Sequence, residues 1–194
     1  EEHLRQSISL ESQNSEAHYY LAMILRTDDD PSLAKKHFFR ALEINPEFAL
    51  AYYELAHHSE KNGDLNEAKI HFQKATDIEQ NFVEAYFHLA RISTNPSEYD
   101  QAFRNYETAL EIDPQMAECH YWFGKLLTTG EKLKNDGTLV WEPDPMRAEE
   151  HFRKAIKINP KYSNAYFKLG LLLKDLKRYY EAYQNLEKAI SICL

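Results

Sequence analysis

A pattern of small and aromatic residues that recurs with a fixed period constrains this chain more than any other feature of its sequence. In the stretch from Asp64 to Glu79, Ala68, Phe72 and Ala75 are spaced i, i+4 and i+7, so they share one face of a helix. The two alanines allow a second helix to approach closely, and the ring fills the space between them. The face recurs at a nearly constant interval, which is typical of a helical solenoid built from helix pairs.

The same face occurs five times, so we predict five helix pairs. The first small residue is Ala34, Ala68, Ala102, Ala148 or Ala182, the large one is Phe38, Phe72, Tyr106, Phe152 or Leu186, and the second small one is Ala41, Ala75, Ala109, Ala155 or Ala189. Successive copies differ in residue number by 34, except that the step from Ala102 to Ala148 is 46 and so contains an insertion of 12. We expect each small residue to be almost fully buried between the two helices of its pair.

The period divides the chain into the end of an upstream repeat, at residues 1–14, and five complete repeats. Breaks between helices are predicted before prolines, which disfavour a helical conformation in the preceding residue, and at glycine, which tolerates a positive φ. The predicted repeats are 15–48, 49–82, 83–116, 117–162 (with the insertion at about 128–145) and 163–194. The predicted breaks are Asp28 to Pro31, Asn45-Pro46, Asn62-Gly63, Asn95-Pro96, Asp113-Pro114 and Asn159-Pro160.

Each predicted first helix contains a pair in which a large apolar residue precedes alanine or glycine. These pairs form one repeating pattern with the small and aromatic residues of the second helices and the Asn/Asp-Pro boundaries. These pairs are Leu21-Ala22, Leu55-Ala56, Leu89-Ala90, Phe123-Gly124 and Leu169-Gly170. The pattern resembles the tetratricopeptide repeat (TPR). The resemblance implies an all-α, right-handed superhelical solenoid of antiparallel helix pairs, in which the first helices line a concave groove.

The charge and the apolar content of the chain argue against some classes of partner. The chain has 23 Lys and Arg against 31 Asp and Glu, a formal net charge of −8, which argues against nucleic acid or an anionic membrane as the main partner. No apolar run is long enough to span a membrane, and no signal-peptide pattern is present, so an intracellular setting is expected.

Two cysteines do not form a disulfide framework, and Cys119 takes a position filled by alanine in the other repeats.

No motif in the sequence indicates an active site, a cofactor or a metal. His57 and His58 are adjacent and point to different faces of a helix, and no HExxH or CxxC spacing occurs. The nine histidines are therefore interpreted as ordinary surface or core residues, with His18 and His120 at a packing position. Neither a Gly-rich phosphate loop nor a nucleophile elbow is present. We predict a protein that is not an enzyme and requires no cofactor.

An aromatic row on the predicted first helices is one candidate for a partner-binding surface. Aromatic rings with a polar group supply large contact area at low entropic cost, although the resemblance also explains tyrosine at this position by packing alone. We expect the row to be exposed and its neighbours Tyr52, Tyr86 and Leu89 to be buried. The predicted concave-face residues are Tyr19, Tyr53, His57, Phe87, Arg91, Tyr121, Lys125 and Phe167.

The insertion is a second candidate, because Leu139, Val140 and Trp141 are apolar residues in an otherwise polar segment. Insertions in solenoids often serve the binding face. Alternatively, Trp141 folds back onto the helices, since long loops anchor themselves through their few large apolar residues. If the aromatic row is packed under neighbouring helices, the groove hypothesis is lost and Trp141 becomes the leading candidate.

The sequence therefore predicts a protein–protein interaction scaffold that binds a peptide or helix of a partner in its concave groove. Arg91 and Lys125 would meet acidic groups of that ligand, and Glu84 and Glu118 basic ones. An alternative function is the substrate-recognition arm of a larger enzyme whose catalytic domain lies outside this sequence.

The last predicted helix carries an apolar face, formed by Tyr183, Leu186 and Ile190, that no later repeat in this sequence covers. Repeat arrays usually end in a polar capping element. We therefore expect the sequence to be part of a longer array, and this face to allow self-association.

Overall fold

The computed structural model describes residues 14–27, 31–93, 95–129 and 143–193, and over these ranges it contains helices and no strand. The chain forms two compact units, Glu1–Ile92 (unit 1) and Ser93–Leu194 (unit 2). The helices of unit 1 are α1 Ser15–Thr27, α2 Pro31–Ile44, α3 Ala49–Lys61, α4 Leu65–Ile78 and α5 Val83–Ile92. Those of unit 2 are a short 3₁₀ helix at Pro96–Glu98, α6 Tyr99–Ile112, α7 Ala117–Thr128, α8 Pro145–Ile158, α9 Ser163–Asp175 and α10 Tyr179–Cys193.

Three predicted features lie outside the described residues. They are the upstream repeat end before residue 14, the turn at Asp28–Asp30, and Trp141 with most of the insertion.

Local chemistry explains where several helices begin and end. Oδ1 of Asp64 accepts a hydrogen bond from N of Glu67 at 3.0 Å, and Oδ1 of Asp144 accepts one from N of Arg147 at the same distance. Each side chain thereby satisfies an amide that the first turn leaves unpaired. Gly63, with a φ of +82°, takes the left-handed conformation at the turn before Asp64. The helices α2, α6 and α8 each end two residues before a proline, as predicted.

Within each unit, the two helices of a pair pack along the predicted small-residue face. In unit 1, α1 packs on α2 and α3 on α4; in unit 2, α7 packs on α8 and α9 on α10. Every alanine of that face is at most 6% exposed, so this prediction is confirmed. A Cβ atom added at Gly124 would lie only 2.9 Å from Cε1 of Phe152, and one at Gly170 only 2.7 Å from Cγ of Leu186. A methyl group added at either glycine would therefore press against the partner helix.

Cys119 is fully buried, as expected from the alanines at the equivalent position. Burial raises the pKa of its thiol. The cysteine therefore acts as a small apolar side chain.

Candidate functional site

The structure corrects the prediction that the aromatic row is exposed. Phe87 and Tyr121 are buried, at 1% and 8% exposure, and so is Tyr19. Tyr53 is half-buried, and Phe167, at 45% exposure, is the exposed ring of this row.

Packing at the junction between repeats is the physical reason for this burial. Each of three rings meets an aromatic residue just before the next first helix: Tyr19 lies 5.0 Å from Phe48, Tyr53 lies 4.8 Å from Phe82, and Tyr121 lies 5.1 Å from Tyr162, measured between ring centroids. Aromatic pairs at these separations are stabilising and leave little ring surface for a ligand.

The neighbouring residues also differ from expectation in part. Leu89 is buried as predicted, whereas Tyr52 and Tyr86 are only half-buried. Successive residues on a helix point about 100° apart. Two adjacent rings therefore face different directions, and each takes only part of the space between the helices. The row one position later borders the outer surface of the first helices, although its member Glu54 is buried. Its residues are Tyr20, Glu54, His88, Trp122 and Lys168.

In unit 1 this outer surface is filled with paired charges. We call it the ion-paired surface and define it as Arg26, Glu54, His57, Glu60, His88 and Arg91. Nη1 of Arg26 on α1 donates to Oε2 of Glu54 on α3 at 2.5 Å, and Nη2 of Arg91 on α5 donates to Oε1 of Glu60 on α3. Burial raises the pKa of the Glu54 carboxyl, and the Arg26 guanidinium opposes that rise. The cations of this surface are therefore already neutralised by the chain itself.

Two histidines from different helices meet on the ion-paired surface. The rings of His57 on α3 and His88 on α5 have centroids 4.4 Å apart, and the His88 ring stacks on Phe72 at 5.5 Å. Burial, helped by the nearby arginines, lowers the pKa of His57 to about 4. Burial, His57 and Arg91 lower the pKa of His88 to about 3. Both imidazoles are therefore neutral at pH 7.

Oε2 of Glu60 lies 3.6 Å from Nδ1 of His57 and 3.9 Å from Nδ1 of His88. These three residues are a group whose donor atoms could hold a metal ion. The sequence patterns considered above, which are adjacent histidines, HExxH and CxxC, do not include this group. The available signal was the i, i+3 spacing of His57 and Glu60, with His88 one position after the aromatic row of the next repeat.

The outer surface of the first helices in unit 2 has a different character. We call it the lysine surface and define it as Trp122 and Lys125 on α7 with Phe167 and Lys168 on α9. Nζ of Lys125 lies 4.2 Å from the centroid of the Trp122 ring. Burial, followed by the charge of Lys168, lowers the pKa of Lys125. Within the described ranges neither lysine forms an ion pair, and the nearest carboxylate along α7 is the exposed Glu118, one turn before Trp122.

A second feature of unit 2 is a groove of about 660 Å³ between α6 and α8. At its base, Nδ1 of His120 lies 2.8 Å from Nδ1 of His151, and Nε2 of His120 lies 3.2 Å from the carbonyl oxygen of Pro114. Because a carbonyl only accepts, Nε2 of His120 donates to it, and His151 then donates to Nδ1 of His120. Burial lowers the pKa of both histidines, that of His151 to about 4. This pair, like His18 with His37 in unit 1 at 2.9 Å, joins the two helices of one repeat.

The predicted apolar face of the last helix is exposed at two of its three residues. Tyr183 and Ile190 are exposed, at 63% and 64%, whereas Leu186 is half-buried because it packs toward Gly170. Self-association through this face stays a prediction. No helix among the described residues is long and apolar enough to cross a membrane.

Comparison with known proteins agrees with this architecture. One tetratricopeptide repeat model matches residues 49–82 and 83–116, and another matches residues 151–184, together more than half of the chain. No curated protein sequence is significantly similar to the chain.

Solved structures share the fold at low sequence identity. YrrB, described as a TPR protein with an unusual peptide-binding site, has a TM-score of 0.77 at 20% identity, covering 97% of this chain and 91% of that chain. A structure of MamA has a TM-score of 0.73 at 21% identity, with 88% and 93% covered. Another, MamA from Desulfovibrio magneticus RS-1, has a TM-score of 0.76 at 15% identity, with 92% and 94% covered. With its all-α, TPR-like solenoid fold and its repeat matches, the chain belongs to the tetratricopeptide repeat family.

Proposed function

We propose that this chain is a protein-interaction scaffold, and that its lysine surface binds an acidic, extended segment of a partner protein. The observation that carries the proposal is the pair Lys125 and Lys168. Their charges repel one another across α7 and α9, and no carboxylate of the described chain neutralises them. A carboxylate of a ligand would relieve that repulsion.

Side chains beside the lysines suit a peptide ligand. The half-buried Trp122 lies under the ammonium group of Lys125, and Phe167 precedes Lys168 on α9. Aromatic residues and a few charges at one spot are typical of the positions that contribute most to protein interfaces. Each charge-assisted hydrogen bond from a lysine contributes about 1.5–3 kcal/mol, so two lysines and one ring support specific but moderate affinity.

This proposal moves the predicted binding residues by one helical position. Lys125 and Phe167 remain in the proposed site, and Trp122 and Lys168 join them, while Tyr19, Phe87 and Tyr121 are assigned to packing. Arg91 and His57 belong to the ion-paired surface, where the arginine charge is already engaged. Because most of the aromatic row is packed, Trp141 becomes the leading candidate among the residues predicted from the sequence, and it lies outside the described residues. The likeness to YrrB supports peptide binding as the class of function, since that protein is described by a peptide-binding site.

The test measures binding of two fluorescent peptides of opposite charge. One alternates glutamate with leucine and phenylalanine, and the other has lysine in place of glutamate. We expect the acidic peptide to bind at least tenfold more tightly and to weaken at high salt. The double variant Lys125→Glu, Lys168→Glu should lose at least tenfold in affinity for the acidic peptide.

The matched control is Lys188→Glu, which reverses one exposed lysine charge on α10, away from the lysine surface. Its affinity should stay within twofold of the unmodified chain. Equal binding of the two peptides, or an equal loss in the control, would contradict the proposed site.

A further inference from the structure

The group His57, Glu60 and His88 on the ion-paired surface has a geometry that peptide binding does not explain. His57 and Glu60 lie one turn apart on α3, and His88 reaches them from α5 of the next repeat. Their donor atoms all lie within 4.8 Å of one another. Oε2 of Glu60 is 3.6 Å from one imidazole nitrogen and 3.9 Å from the other.

The contacts of Arg91 show which nitrogen of His88 carries the lone pair. Nη2 of Arg91 lies 3.0 Å from Nδ1 of His88 and also donates to Oε1 of Glu60. A guanidinium only donates, so Nδ1 of His88 must accept and its proton must be on Nε2. The lone pair of His88 and a carboxylate oxygen of Glu60 therefore already converge on one cationic group.

We propose that His57, Glu60 and His88 bind a divalent transition-metal ion of the zinc type, and that the Arg91 guanidinium neutralises the same lone pairs when no metal is bound. Zinc takes histidine nitrogen and carboxylate oxygen at about 2.0–2.2 Å, so tetrahedral ligands are about 3.3–3.5 Å apart. The two observed separations from Glu60, 3.6 and 3.9 Å, need to shorten by a few tenths of an ångström, and the two histidine donors, which lie within 4.8 Å of one another, must also approach. Three protein ligands leave one position for water.

Packing holds both histidine rings beside the carboxylate. The ring centroids of His57 and His88 lie 5.2 Å and 5.5 Å from that of Phe72 on α4. Metal ligands must be deprotonated when they bind. Arg91 competes with a metal ion for these donor atoms, because its guanidinium must move away from them before a metal can bind. Its side chain is 25% exposed, which gives it a path toward solvent.

Zinc binding by chelator-treated protein, followed by calorimetry, tests this site. Cobalt substitution adds a spectroscopic readout, since its visible absorption reports tetrahedral nitrogen and oxygen ligands. Glu60→Gln and His57→Ala should each weaken binding at least tenfold. Arg91→Gln should strengthen it at least tenfold, because it removes the competing cation and leaves all three ligands.

The matched control is His58→Ala, which removes the adjacent histidine on another face of α3 and should leave the affinity within twofold. This comparison separates the site from the pairs His18–His37 and His120–His151, which every variant retains. Circular dichroism of each variant identifies loss of fold. Since Arg91→Gln predicts a gain, a folding defect in another variant cannot produce the full expected pattern.

Absence of one-site binding in both the unmodified chain and Arg91→Gln, or equal binding by His57→Ala, would overturn the proposal.

Discussion

The outer surfaces of the first helices differ between the two units, although both units use the same packing pattern. In unit 1, neighbouring first helices are joined by Arg26 with Glu54 and by Arg91 with Glu60. In unit 2, the positions equivalent to Arg26 and Glu60 are Thr128 and Lys174, and Lys125 and Lys168 have no carboxylate partner among the described residues. The comparison shows that repeats with the same packing pattern differ in charge at positions that packing does not require.

Charge reversal should separate the two surfaces most strongly. Glu54 is 7% exposed beside Arg26, so Glu54→Lys places two cations together in a buried position. We expect a loss of about 2–4 kcal/mol in the free energy of unfolding, reduced from the value for a fully buried pair because Arg26 is partly exposed. Lys125→Glu, the matched reversal in unit 2, should change it by less than about 0.5 kcal/mol.

Urea unfolding followed by two signals measures this difference. Both tryptophans of the chain lie in unit 2, so their fluorescence reports that unit, whereas far-UV circular dichroism reports both. Equal destabilisation by the two reversals would show that the surfaces do not differ as described.

Overpacking of the shared face should affect both units alike. Ala68 in unit 1 and Ala155 in unit 2 are fully buried between paired helices. Replacing either with leucine should cost about 1–3 kcal/mol, because the extra atoms force the helices apart. Thermal melts of Ala68→Leu and Ala155→Leu check this, with Lys188→Glu as an exposed control. A melt unchanged within error would mean that the pair does not close at that residue.

Acid should weaken the chain through its buried histidines. Their pKa values are lowered in the folded state, so the unfolded state binds more protons below about pH 6.5, and stability is lost as the pH falls toward 4. With allowance for solvent screening, each such histidine contributes about 1–2 kcal/mol of this loss.

His151→Asn tests that contribution in unit 2, since asparagine occupies the equivalent position at Asn105 and Asn185. The urea midpoint from tryptophan fluorescence should fall less between pH 7 and pH 4.5 in this variant than in the unmodified chain. His58→Asn in unit 1 should leave that fluorescence transition unchanged. An identical acid dependence in His151→Asn would exclude the assigned role.

The smallest expected effect concerns the repulsion within the lysine surface. Lys168→Gln removes the neighbouring charge that lowers the pKa of Lys125, so that pKa should rise toward its ordinary value. The free energy of unfolding should change by less than about 0.5 kcal/mol, as is usual for exposed charges. A nuclear magnetic resonance titration of the lysine side chain gives the pKa. A fall in the pKa of Lys125 would contradict the proposed proximity.

Periodicity predicted the helix pairs, their buried alanines and the ends of α2, α6 and α8 because these features depend on residues close in sequence. The aromatic row shows the limit of that reasoning. Tyr53 and Tyr121 occupy the same position in two repeats, yet Tyr121 is buried against Tyr162 while Tyr53, beside Phe82, is only half-buried. Exposure of such a ring depends on what the following repeat places against it, which the position within its own repeat does not specify.

The sequence by itself determined the class of fold, the spacing of the repeats and the absence of familiar catalytic motifs. These follow from local helical geometry, in which residues three or four apart share a face. Only the tertiary structure decided which charges are neutralised and which histidines meet. Glu60 and His88 are 28 positions apart and come together because α3 and α5 belong to successive repeats of one unit. Whether such residues meet depends on their rotamers and on the packing of neighbouring helices. The repeat period restricts which residues can meet but does not determine which of them do.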